Sequence, residues 1–204
     1  MPDRHDNSAE DQQPLRRILR WVAALNCAYF GIEFAVAVTI GSVSLFADSI
    51  DFLEDTAVNL LVLVALGWSA SRRARVGMGL AALLLLPGVA TLWTAGVKLL
   101  TLVPPAPIPL SLTGTGALLV NLTCASLLMR FKSHRGSLTK AAFLSARNDV
   151  LANIAIIVAG LVTVMTESAW PDLIVGLGIF VMNLDAAREV FEAARKEHRL
   201  EPRP

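Results

Sequence analysis

The chain has 204 residues, of which 54 % are hydrophobic and 17 % are charged, and its formal net charge is +1. Soluble globular proteins carry about 25 % charged residues, whereas here the charges are bunched between long apolar stretches. The composition therefore excludes an ordinary soluble domain, and the small net charge excludes nucleic acid as an expected partner.

Six apolar segments are each close to the roughly 20 residues with which a helix crosses a bilayer core. Residues 1–17 precede them and lack the apolar core of a signal peptide, so we expect a disordered cytoplasmic tail there. The predicted fold class is all-α, a polytopic six-transmembrane-helix bundle over residues 18–187. A short, charged, helix-prone cytoplasmic tail follows at 188–204. The spans are predicted at 18–40, 45–69, 77–100, 110–129, 141–165 and 170–187.

The connections between spans predict their arrangement. Residues 41–44 form an uncharged turn that is short enough to force an antiparallel hairpin between the first two spans. Pro87 predicts a kink in the third span. The proline-rich segment 103–109 is expected to be a non-helical connector outside the hydrocarbon core, because proline disrupts helices.

Lys and Arg are concentrated on one side of the predicted bundle. They precede the first span and recur in the 72–75 and 130–140 loops and in the C-terminal tail, whereas 41–44, 101–109 and 166–169 contain none. The positive-inside rule then predicts that both termini are cytoplasmic. We expect a multi-pass protein of the cell (inner) membrane.

Polar residues recur on one helical face in each of three spans. Charged groups in the bilayer core cost about 2.5–3.5 kcal/mol each on insertion scales and usually mark an ion or proton pathway. The residues on the three faces are Asp48, Asp51 and Asp55 in span two, Ser145, Asp149 and Asn153 in span five, and Asn26 and Glu33 in span one. Asn148 lies beside the polar face of span five.

The helical rise places two of these faces at a common depth. At about 1.5 Å per residue, Asp55 lies about 16 Å from the outer surface and Asp149 about 13 Å from the inner surface. These levels nearly coincide in a core about 30 Å thick. Asp51, Asp55 and Asp149 would repel one another unless a cation joins them or some are protonated. The pattern predicts a divalent-cation site or a proton relay; the alternative is neutral packing groups that hydrogen-bond between helices.

The start of span two resembles the second-helix signature of the cation diffusion facilitator (cation efflux) family. The matching segment is GSVSLFADSIDFLED, residues 41–55. Two further features are similar to the family, and with them the resemblance covers residues from about 18 to 190. They are the spacing of Asn26 and Glu33 in span one and the sequence Trp170-Pro171-Asp172 at the start of span six.

The resemblance implies a transporter, not an enzyme, that exports a divalent metal cation from the cytoplasm in exchange for protons. It implies metal ligands at Asp51 and Asp55 on helix two and at Ser145 and Asp149 on helix five, with Asn148 as an alternative fourth ligand. Ser145 replaces the histidine or aspartate that is usual in the family. The pathway is expected to include Asp48, Asn26, Glu33 and Asn153.

The expected partners are the transported metal ion, protons and the lipid bilayer, with no resident cofactor. Oxygen ligands favour harder ions such as manganese over zinc, but the sequence does not distinguish manganese, zinc, cobalt, iron or cadmium. It also leaves open whether the chain forms a homodimer.

Two other functions compete with transport. Ser145 and the expected lack of the family's C-terminal cytoplasmic domain, which makes this a short branch, are compatible with a degenerate, non-transporting member that acts as a membrane regulatory or assembly partner. An intramembrane aspartyl protease would also place two aspartates on facing helices. That alternative is disfavoured, because the motifs of that class, with glycine beside the aspartate, do not occur here.

Overall fold

The structure, a computed structural model, describes residues 12–65, 88–129 and 136–200. The all-α prediction is confirmed, since these ranges contain helices and no strand. Three stretches are long and apolar enough to cross a membrane: Arg16–Ile40, Pro107–Met129 and Asn148–Thr166. The helices are α1 (Gln12–Ile40), α2 (Val43–Ala65), α3 (88–101), α4 (Pro107–Met129), α5 (Gly136–Thr166) and α6 (Trp170–Leu200).

Four helices begin earlier than the predicted spans, namely α1 at Gln12, α2 at Val43, α4 at Pro107 and α5 at Gly136. Residues 12–17, expected to be disordered, are the start of α1, and Pro14 fits there because proline is tolerated in the first turn of a helix. Residues 107–109, expected to belong to the non-helical connector, are the start of α4 for the same reason. Pro87 and the basic 72–75 loop lie outside the described residues.

A tight turn joins α1 to α2 as an antiparallel hairpin. Gly41 adopts a left-handed conformation with φ 63°, which glycine tolerates at little steric cost. The amide of Ser42 donates to the carbonyl of Ala37 at 2.9 Å, the bond that closes a Schellman motif at a helix C-terminus. The uncharged segment 41–44 therefore reverses the chain as its length predicted.

Asp172, at the start of α6, caps the N-terminus of α2. Its carboxylate accepts bonds from the amides of Val43 (2.9 Å) and Ser44 (3.1 Å) and from the hydroxyls of Ser42 and Ser44 (both 2.6 Å). The Ser42 hydroxyl accepts from the Leu45 amide at 3.2 Å. These bonds satisfy the first three amides of α2, which have no partner within their own helix, and they place a negative charge at the positive end of its dipole.

Lys98, in the last turn of α3, reaches the same region. Its ammonium donates to the Gly41 carbonyl at 2.6 Å. The α1–α2 turn, the end of α3 and the start of α6 therefore lie together, and we call this region, with residues 41–44, 102–106 and 167–169, the connector end.

The centre of the bundle is packed with small and aliphatic side chains. α2 packs against α1 and α6, and α4 packs against α1 and α5. Small residues at such contacts allow helix backbones to approach closely. Many large apolar residues instead face outward, as expected of a surface that contacts lipid, among them Leu100 (88 % exposed), Met165 (85 %) and Trp93 (76 %). The main core cluster contains Ala37, Leu45, Ala47, Leu110, Ala152, Ile156 and Ile179.

Candidate metal-binding site

Carboxylates from α2 and α5 gather in the interior of the bundle. Asp149 on α5 is buried, with 9 % of its surface exposed, whereas Asp51 and Asp55 on α2 are partly exposed. Asp51 interacts electrostatically with Asp149 and Asp55, and Asp149 interacts with Asp55. The structure thus brings the three predicted carboxylate ligands into one electrostatic neighbourhood.

Asn26 on α1 orients the carboxylate of Asp55. Its side-chain amide lies 3.4 Å from the Asp55 Oδ2 and donates to it, while its Oδ1 accepts from the Cys124 thiol at 3.4 Å. Asn26 is completely buried. Because both ends of the amide are engaged, its orientation is determined, and Asp55 is held by a neutral donor and not by a positive charge.

Glu33 and Asp48 form a second pair between the same two helices. Both side chains are 0 % exposed, and their carboxyl groups lie close enough to interact electrostatically. The hairpin therefore pairs the polar residues of α1 and α2 twice, at the level of Asn26 and Asp55 and again nearer the connector end.

The remaining predicted residues lie on α5. Asn153 is completely buried, and its amide donates to the Asp149 carbonyl at 2.7 Å, one turn back along the helix. Asn148, predicted as an alternative fourth ligand, is exposed; successive helical residues point about 100° apart, so burial of Asp149 turns Asn148 outward. Ser145 belongs to α5, but its side chain lies outside the described part of the structure.

The carboxylates are not drawn together around an ion. No group of three or more His, Cys, Asp or Glu residues in the described ranges has the arrangement of a ready-made metal site. They also lack positive partners there, since the salt bridge found in these ranges joins the exposed Arg188 and Asp185 at 3.5 Å. The site is a cluster of carboxyl groups that has no positive partner among the described residues.

The role of Asp172 as a cap was not predicted from the sequence. Its position at the start of span six was recognised only as a family feature. The sequence does mark the N-terminus of α2, because Ser42-Val43-Ser44 before an apolar run is typical of a helix start whose first amides need hydrogen-bond acceptors. The sequence does not say that a residue 130 positions away supplies them.

The family model of the cation efflux transmembrane domain matches residues 19–197. The chain belongs to this family. No curated protein matches it. The cation efflux protein is therefore a membrane protein that transports a metal cation, and members of its family are transporters, not enzymes. The match includes all the predicted site residues of the cation efflux protein, which lie on α1, α2 and α5.

Proposed function

We propose that this cation efflux protein exports a divalent metal cation from the cytoplasm across the cell (inner) membrane, in exchange for protons. Asp51, Asp55 and Asp149 would be its ligands, with Ser145, one turn before Asp149, as the candidate for a fourth. The observation that carries the proposal is the gathering of these three carboxylates in the bundle interior without a described positive partner.

Charge balance supports a cation as the ligand. An intramembrane carboxylate is expensive unless a partner neutralises it, and three of them in mutual electrostatic range repel one another. A structural role would be better served by a Lys or Arg partner, and a neutral amide, Asn26, is what holds Asp55. A cation that binds reversibly neutralises the repulsion between the three carboxylates and can still be released.

The ligand chemistry supports a hard divalent ion. The described candidates offer carboxylate oxygens, which suit manganese and magnesium, whereas imidazole or thiolate would have favoured zinc or copper. Cys124 lies near the region, but its thiol donates to Asn26. We therefore expect manganese to be a better substrate than zinc.

Proton exchange follows from the same groups. A carboxylate must be deprotonated to bind metal, so metal binding releases protons and becomes weaker as the pH falls. Protons that enter from the acidic side would displace the ion from Asp51, Asp55 and Asp149. A pH gradient would then drive metal in the opposite direction.

The test is Mn²⁺ uptake into liposomes that contain the purified protein, with and without a pH gradient. Asp55→Asn and Asp149→Asn keep the side-chain shape and remove the charge, so they should insert normally and abolish Mn²⁺ flux. Their Mn²⁺ affinity should fall by at least about tenfold, since even residues that only orient metal ligands cost that much when replaced. Asp185→Asn, on the exposed part of α6, is the matched control and should transport normally.

Two results would contradict the proposal. Normal flux in Asp149→Asn would show that the α5 carboxylate is not a ligand. Absence of flux for the native protein with manganese, zinc, cobalt, iron and cadmium would favour the non-transporting regulatory or assembly role.

A further inference from the structure

The Glu33–Asp48 pair is an unsatisfied group in the interior. Both residues are 0 % exposed, and none of their four carboxyl oxygens receives a hydrogen bond from a described donor. The two carboxyl groups interact electrostatically, so ionising both brings two negative charges together in the interior. Buried charges without partners cost several kcal/mol each, so the pair must either bind a cation or take up protons.

The donors around the pair bind elsewhere. Tyr29, which lies close enough to interact electrostatically with both carboxyls, donates its hydroxyl to the Thr113 carbonyl at 2.6 Å. Ser49, next to Asp48, donates to the Phe46 carbonyl at 2.7 Å. These neighbouring hydroxyls therefore do not satisfy the two carboxylates, which have no hydrogen-bond donor within the described part of the chain.

The pair lies at a different level of the bundle from the contact between Asn26 and Asp55. Asn26 contacts Asp55, and Glu33 and Asp48 lie seven residues further along α1 and α2 in the direction of the connector end. Seven residues at the helical rise correspond to about 10 Å. An ion bound at the level of Asp55 would therefore not coordinate this pair directly. Asp51 lies between the two levels, three residues from Asp48, and interacts electrostatically with both members of the pair.

We propose that Glu33 and Asp48 form a second binding site for a hard divalent cation, on the route between the central carboxylates and the connector end. One divalent ion neutralises both carboxylates, whereas one shared proton leaves a net negative charge. Four carboxyl oxygens without a nitrogen or sulfur ligand suit manganese, magnesium or calcium. Only the role of the site in ion movement rests on the proposed function.

Asn153 adds a neutral oxygen on this route. Its Oδ1 is buried and has no hydrogen-bond partner among the described residues, and its amide nitrogen donates to the Asp149 backbone carbonyl. It lies one turn beyond Asp149 toward the connector end, since α5 runs in that direction. Carbonyl oxygens of asparagine are ordinary ligands of hard cations.

The experiment is equilibrium Mn²⁺ binding to the purified full-length protein in detergent at neutral pH. The native protein should bind two ions per chain. Glu33→Gln/Asp48→Asn should bind one, and so should Asp149→Asn, while the combined triple variant should bind none. The Gln–Asn pair can hydrogen-bond without charge, so the double variant should fold, which its melting temperature without metal verifies.

The outcomes separate the two proposals. If the native protein binds one ion and Glu33→Gln/Asp48→Asn also binds one, the second site is refuted. The pair would then carry protons only. Two ions retained in Asp149→Asn, with one lost in the double variant, would support the second site and contradict the central one. Mn²⁺ should also raise the native melting temperature more than that of the double variant, because each bound ion stabilises the folded state.

Discussion

The cap that Asp172 provides for α2 gives the sharpest stability prediction. Replacing Asp172 by Ala removes the acceptor of four bonds, two from backbone amides and two from serine hydroxyls. Ser42, Val43 and Ser44 are all 0 % exposed, so water does not reach the groups that are left. The variant should fold into the same bundle but with a markedly lower melting temperature.

The magnitude follows from the donors that stay unsatisfied. The two serine hydroxyls are 3.3 Å apart and can pair with each other after the change, but the amides of Val43 and Ser44 cannot reorient. A buried donor without a partner costs about 1–3 kcal/mol, which gives about 4 kcal/mol for the two amides. In a chain of this size, 1 kcal/mol corresponds to about 2–4 °C, so we expect a decrease of about 8–16 °C.

The assay is thermal unfolding of the purified protein in detergent, followed by intrinsic fluorescence. Asp185→Ala is the matched control, because Asp185 also lies on α6 but is 69 % exposed and forms a surface ion pair with Arg188. Exposed ion pairs contribute about 0–1 kcal/mol, so the control should lose less than about 4 °C. An Asp172→Ala protein that melts with the control would refute the capping argument.

Two further predictions concern packing and topology. Gly176→Ala should lower the melting temperature, because a Cβ there would lie 2.7 Å from the Val43 carbonyl carbon. Gly178→Ala is the control and should not lower it, because a Cβ there would have no atom within 4 Å. Equal melting temperatures of the two variants would contradict the close approach of α6 to α2. A reporter fused after Arg135 should be cytoplasmic and one within 104–109 should be external, as the distribution of Lys and Arg predicts; a cytoplasmic signal from 104–109 would refute the six-span topology.

Much of the fold could be predicted from the sequence because helix length and charge placement act locally. The turn at 41–44 reverses the chain as its length required. The helix starts at Gln12, Pro107 and Gly136 precede the predicted spans. At Pro14 and Pro107 the reason is that the first turn of a helix tolerates proline. Proline is unfavourable inside a helix but acceptable in its first turn, so the residue alone does not say whether a helix ends or begins there.

The partners of the polar residues could be predicted only in part. Helical periodicity shows that Asp149 and Asn148 point in different directions from α5, but it does not say which of the two faces the bundle. The structure buries Asp149 and exposes Asn148. The contact of Asp172 with α2 depends on how α6 packs, which is a property of the tertiary structure and leaves no periodic signal in the sequence.

The register of the α1–α2 hairpin links its two polar layers, which are Asn26 with Asp55 and Glu33 with Asp48. In an antiparallel pair, seven steps forward on α1 match seven steps back on α2, so a contact between Asn26 and Asp55 requires Glu33 to face Asp48. Two turns of helix return a side chain to nearly the same face, with a drift of only about 20°. The seven-residue spacing in both helices could therefore predict the pairing once the hairpin was assumed. The spacing does not reveal that Asp55 has a neutral donor whereas Glu33 and Asp48 have none, and this chemical difference is what makes the second layer a candidate cation site in its own right.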